Sequence, residues 1–198
     1  MTLGWLLATK LVAAPCFDFT KKYSEPLRAP IASNKKNDVS ATGEGNNGIQ
    51  WGAVRGIVKR HIVDLLKRFD DPYLTKNRKN TVITSVVSKA PHYLWVRKMN
   101  LVVKPVFFVT VEWDEQWAMA VREGTPLQPK SLIVYYQKVA GTSHLEHLCG
   151  NIVVNFIDAK TSDVYLYEEV KASHWSSEDA VKNFLVVLKI FRGEHKDD

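Results

Sequence analysis

Apolar residues recur at three- and four-residue spacing through residues 49–69, and beyond them the pattern changes to that of strands. Trp51, Val54, Val58, Ile62, Leu65, Leu66 and Phe69 form one stripe, which predicts an amphipathic helix ended by Asp70-Asp71-Pro72. Residues 81–88, 93–104 and 106–113 are rich in Val, Ile, Thr, Phe and Trp, as strands are, with Pro91 and Pro105 between them. Residues 114–123, DEQWAMAVRE, read as a short helix with Gly124 as its stop. Residues 131–139, 151–158 and 164–172 are three further strands, the last two joined by a hairpin turn, DAKTSD. A final helix starts near Ser176 or Ser177. Glu178 and Asp179 suit its first turn, and Val181, Phe184, Leu185, Leu188 and Phe191 make its buried face. Gly193 ends it.

The short links between strands argue for antiparallel pairing rather than parallel crossovers. The expected fold is α+β: a curved antiparallel sheet of about six strands backed by the two longer helices, 49–69 and 177–192, with a flexible basic N-terminal segment. Residues 1–48 form that segment and residues 49–198 the single domain. Residues 1–14, MTLGWLLATKLVAA, are too short an apolar run to span a bilayer and lack the basic start of a signal peptide. They read as an amphipathic helix, docked on the body or lying on a membrane. Residues 20–48 hold mostly Pro, Ser, Asn, Gly and charge, with little to bury, and read as a linker or arm.

Charge sharpens this division. The net charge is +6, and residues 1–80 carry fourteen Lys/Arg against seven Asp/Glu, so all of the excess lies there. Arg55, Lys59, Arg60, Lys67 and Arg68 on the predicted helix, with Lys76, Arg78 and Lys79 in the turn after it, form the densest basic patch. Such a patch suits nucleic acid, nucleoprotein or an acidic membrane surface. A hydrophobic content of 45% is ample for a core, and most of the aromatic rings fall in the predicted strands, as packing requires. Cys16 and Cys149 make no disulfide framework; the two could pair, but a reducing compartment is the simpler inference.

Two constellations could carry chemistry. Tyr167-Glu168-Glu169-Val170-Lys171 resembles the E-x-K end of the PD-(D/E)XK nucleases. That resemblance implies Mg²⁺ held by Glu169 and Asp158, with Lys171 positioning the attacking water. The segment HLEHLC brings His144, His147 and Cys149 together, ligand types suited to zinc, with His174 as a distant fourth. No phosphate-binding loop, G-x-G-x-x-G or G-x-S-x-G occurs, which argues against nucleotide hydrolysis, dinucleotide redox chemistry and α/β-hydrolase chemistry.

The C-terminal third, GNIVVNFIDAKTSDVYLY, then KASHWSS, then EDAVKNFLVVLKIF, resembles the layout of rhabdovirus-type matrix proteins. The resemblance implies a non-enzymatic assembly protein without cofactor, self-associating, and bridging a nucleocapsid to an acidic membrane. Its place would be intracellular, in cytoplasm or nucleus, at a membrane periphery or in a virion. The alternatives are the metal-dependent nuclease and an NTF2-like binding domain, in which a curved sheet wraps a helix around a pocket.

Overall fold

A computed structural model describes residues 11–12, 15–34, 36–75, 80–106, 109–173 and 175–194. Among these the chain forms nine strands and two α-helices. The strands are β1 (Leu11–Val12), β2 (Val39–Glu44), β3 (Gln50–Val58), β4 (Thr81–Ala90), β5 (Tyr93–Val106), β6 (Val109–Gly124), β7 (Pro129–Gly141), β8 (Leu145–Asp158) and β9 (Thr161–Ala172). The helices are α1 (Ile62–Leu66), continued by a 3-10 turn over Lys67–Asp70, and α2 (Ser177–Arg192). One antiparallel sheet runs in the order β2-β3-β9-β8-β7-β6-β5-β4. β1 pairs with the end of β7 at Ala140 and Gly141, beyond Gln137, where the pairing of β7 with β8 stops. Register shifts interrupt four of the ladders, at Val103/Val106 and Asp114/Glu115 among others. Such bulges increase local twist and bend a sheet.

The sheet is larger than the six strands expected, and one of the two predicted long helices is absent. Residues 50–58 form strand β3, and only a single helical turn, α1, follows. The apolar spacing of residues 49–69 fits both readings, but Gly52 and Gly56 disfavour a helix. As a strand, Gly52, Val54, Gly56 and Val58 share the face under α2. A Cβ on Gly52 would stand 2.8 Å from the Ser177 carbonyl and 2.9 Å from the Ala180 Cβ. The missing side chains therefore let α2 lie close on β3.

Residues 114–123 are not a helix either; they lie within β6. Trp113, Glu115, Trp117 and Met119 alternate onto the inner face, which belongs to the core with α2. Two features conceal this period of two. An inward position is a carboxylate, Glu115, and the outward Ala118 and Ala120 are themselves buried.

The outward positions are buried because both faces of the sheet are covered. On the inner face, α2 sets Phe184, Val187, Leu188 and Phe191 against Val54, Leu132, Ile152 and Leu166. Ser176 caps this helix reciprocally with Asp179, and Gly193 closes it in the left-handed conformation, φ 74°. On the outer face lies a strap, residues 15–34, where the sequence pattern predicts a flexible segment. Phe17 and Phe19 are buried against Tyr93, Ile133, Tyr135, Tyr165 and Tyr167. The backbone of this strap satisfies polar side chains of the sheet. Gln137 accepts from Phe17 N at 2.7 Å and donates to Phe17 O at 2.8 Å. Asn151 accepts from Leu27 N at 2.9 Å, and the hydroxyls of Tyr135 and Tyr93 donate to the Glu25 and Lys21 carbonyls. Cys16 and Cys149 stand in disulfide contact, with their Cα atoms 6.4 Å apart. Residues 1–10 and 13–14 of the predicted N-terminal helix lie outside the described residues, and Leu11–Val12 is a strand.

Candidate functional site

Between α2 and the inner face of the sheet lies a cavity of about 420 Å³. Its walls follow from strand alternation. Leu148 of β8 and Val170 and Ala172 of β9 point inward, as do Val103 of β5 and Val111 and Trp113 of β6. Phe184 and Val187 of α2 form the opposite wall. Polar groups join this lining at a few places: Glu168, His144, Ser173, Asn183 and the pair Asn80 and Thr81. His144 Nδ1 is 3.2 Å from Ser173 Oγ. The Trp175 indole also lines the cavity, and its Nε1–H is enclosed without a hydrogen-bond partner among the described residues.

A buried polar network runs behind one wall. The Tyr136 hydroxyl donates to Glu168 Oε2 at 3.1 Å, and the Tyr136 ring stacks on Trp117 at 4.8 Å. Trp117 Nε1 and Trp113 Nε1 both donate to the Glu115 carboxylate, at 2.8 and 2.7 Å. Glu115 is fully buried, so these indole donors replace part of its lost hydration. Burial, reinforced by the nearby Glu168 carboxylate, holds the Tyr136 pKa well above the ordinary phenol value. Its hydroxyl is thus a neutral donor at any physiological pH. Sequence reasoning passed over this network, since Glu115, Trp113 and Trp117 were split between a strand and a helix. The signal that could have found it is the W-D-E-Q-W spacing, which sets two indoles around one carboxylate on a strand.

The residues singled out from the sequence are dispersed. Asp158 sits exposed at the end of β8, opposite Thr161, where it accepts from Lys160 N. Glu169 lies eight positions along β9 from Thr161, roughly 26 Å away at the strand rise. Asp158 and Glu169 therefore cannot share Mg²⁺, and the nuclease reading fails on this distance. Lys171 pairs with Glu146 at 2.7 Å, and Glu169 accepts from the Tyr167 hydroxyl at 2.7 Å. Of the basic patch, Arg55 lies on the outer face of β3. It is held by Asp163 at 2.7 Å and by the Ile31 carbonyl at 2.7 Å. Arg60 is half-buried near the Arg192 carbonyl, while Lys59, Lys67 and Arg68 are exposed. The helix face meant to gather them does not exist. Lys76, Arg78, Lys79 and His174 lie outside the described residues.

The zinc-type trio divides across the sheet. His144 lines the cavity. His147 and Cys149 belong to the outer face, where Cys16 of the strap, not His144, joins them.

No protein-family model and no curated protein matches the chain. Solved structures do. The human StarD13 (DLC2) lipid transfer and protein localization domain aligns over 87% of this chain and 91% of that one, with TM-score 0.57 and 10% identity. A STAR-related lipid transfer protein from Xanthomonas axonopodis aligns over 82% and 95%, with TM-score 0.57 and 13% identity. At these identities the likeness is one of fold: a START-type helix-grip, in which an antiparallel sheet holds a C-terminal helix over a cavity. It overturns the matrix-protein resemblance and the assembly role drawn from it: the shared fold is that of two domains described as lipid transfer, and the first half of the supposed basic helix is a strand. It also removes the support for nucleic acid or nucleoprotein as partner. Of the three architectures considered, the one with a sheet wrapped round a helix and a pocket lies nearest to what is found.

Proposed function

We propose that this chain binds one largely apolar molecule of the lipid class in the cavity between α2 and the sheet. The observation that carries this reading is the cavity itself. At about 420 Å³ it falls within the range of small-molecule sites. Its lining is predominantly Val, Leu, Phe and Trp with a few polar groups, the composition such sites share. The fold held in common with two domains described as lipid transfer supports the class of ligand. The Glu168 carboxylate gives the ligand a polar group to orient against. Binding is driven by removal of apolar surface from water, about 25 cal/mol per Å² before the costs of association. Association with a membrane surface follows as the route by which such a ligand enters.

The test is a titration of the purified protein with a fluorescent fatty acid, alongside mass spectrometry of whatever lipid copurifies. Wild type should take up about one equivalent. Val187→Trp, which projects an indole into the cavity wall, should lower affinity at least tenfold while leaving the circular dichroism unchanged. If Val187→Trp binds as wild type does, the cavity is not the site.

A further inference from the structure

On the outer face of the sheet, away from the cavity, four chemistry-bearing side chains converge from three parts of the chain. His147 and Cys149 are two apart on β8 and so share a face. Glu169 on β9 is the cross-strand partner of Cys149 and shares it too. Cys16 arrives from the strap. The two cysteine sulfurs and a ring nitrogen of His147 all lie within 4.8 Å of one another. Glu169 Oε2 is 3.6 Å from His147 Nε2, and that nitrogen is enclosed without a hydrogen bond.

We propose that in the reduced protein Cys16, Cys149 and His147 bind one divalent ion of the zinc class, and that the disulfide is the oxidised alternative of the same site. Three features point to this. Two sulfurs and an imidazole are the donor set of zinc rather than of Mg²⁺ or Ca²⁺, which require oxygen. Two thiolates neutralise a dication, so the half-buried site takes up no net charge. With Nδ1 on the ion, Nε2 faces the Glu169 carboxylate 3.6 Å away, the kind of partner that orients a metal-bound imidazole and raises its basicity. Metal–sulfur bonds of about 2.3 Å in a tetrahedron place the sulfurs about 3.8 Å apart. With their Cα atoms 6.4 Å apart, the two cysteines are close enough for one ion to bridge them.

A phosphine and one water cleave the S–S bond to give two thiols and the phosphine oxide. The ion then displaces two thiol protons and binds the two thiolates. Either state ties the strap to β8. HLEHLC contains two of the three ligands, His147 and Cys149, while His144, grouped with them in the sequence, lies across the sheet at the cavity. Cys16, separated from Cys149 by 133 positions, could be placed only by the fold.

The experiment uses the full chain, reduced with a phosphine and stripped of metal, and titrated with Co²⁺ as a spectroscopic probe. One equivalent should produce a thiolate-to-cobalt charge-transfer band in the near ultraviolet, with release of two protons, and Zn²⁺ should displace it. Cys16→Ser should abolish most of the band, and His147→Ala should weaken binding at least tenfold. Glu169→Gln should weaken it by about 10- to 100-fold, as loss of an outer-shell partner does. Cys16 is the half-buried cysteine of the pair, so its variant should keep the wild-type far-ultraviolet spectrum. The air-oxidised chain should bind no Co²⁺. A reduced wild type with no charge-transfer band would overturn the proposal, as would Cys16→Ser and His147→Ala variants that bind Co²⁺ like wild type.

Discussion

Arg55 shows how a single side chain changes meaning once its neighbours are known. In the sequence it belongs to a cationic run. In the fold it is a tether: its Nε and Nη2 donate to Asp163, and its Nη1 donates to the Ile31 carbonyl of the strap. The Asp163 hydrogen bond is the main cause of the rise in the Arg55 pKa. Both partners are mostly shielded, with side chains 20% and 9% exposed, so breaking the pair leaves a cation poorly solvated. Asp163→Asn should therefore destabilise the protein by about 3 kcal/mol, read as a lowered midpoint in urea. The double variant Arg55→Met with Asp163→Leu should recover most of that loss. Glu115 teaches the converse lesson. It looks like a surface residue of a helix, yet it is the acceptor at the centre of a buried aromatic group.

Among the elements, α2 was legible and β3 was not. Ser176, Asp179 and Gly193 mark the ends of α2 through local chemistry, and its stripe faces one way only. For β3 the apolar positions satisfied two periods at once. The choice between them rests on contact with α2, which approaches because Gly52 and Gly56 have no side chains. Gly52→Val should thus force the Ser177 end of α2 off the sheet, since both obstructing atoms belong to the helix rather than to a flexible tip. A destabilisation of about 1–3 kcal/mol is expected, again read by chemical denaturation. The strap, residues 15–34, is hidden from local pattern for a related reason. Its polarity is real, but its backbone bonds to Gln137, Asn151 and Tyr135 span separations of 110 to 124 residues.

At the scale of the whole molecule, the two covered faces of one sheet put an unusual share of the tyrosines out of water. Burial pushes Tyr93 and Tyr165 up to about 12, and raises Tyr135, Tyr136 and Tyr167 further. These are five of the seven tyrosines. In the unfolded chain each phenol ionises near pH 10, while in the folded protein it keeps its proton. The unfolded state then binds fewer protons, so stability falls as pH rises above 10. Each withheld ionisation contributes about 1.4 kcal/mol per pH unit. A cooperative unfolding between about pH 10 and 12 is expected, with phenolate absorbance rising in step with loss of circular dichroism. Phenolate absorbance that climbs from pH 10 while the fold persists would contradict this.

What the sequence determined by itself was local: the closing helix and its caps, the strand character of residues 81–88, 93–104, 131–139, 151–158 and 164–172, the antiparallel short-link topology, and the excess of positive charge before residue 81. Those depend on neighbours within a few positions, where side-chain period and capping chemistry act. The tertiary structure alone decided which face each strand buries, that α2 closes a cavity, that residues 15–34 strap the outer face, and that Cys16 meets His147 and Cys149. Each of these depends on contacts between separate elements, across 110 to 133 residues for the strap bonds to Gln137, Asn151 and Tyr135 and for the cysteine pair, and no local pattern records their energies.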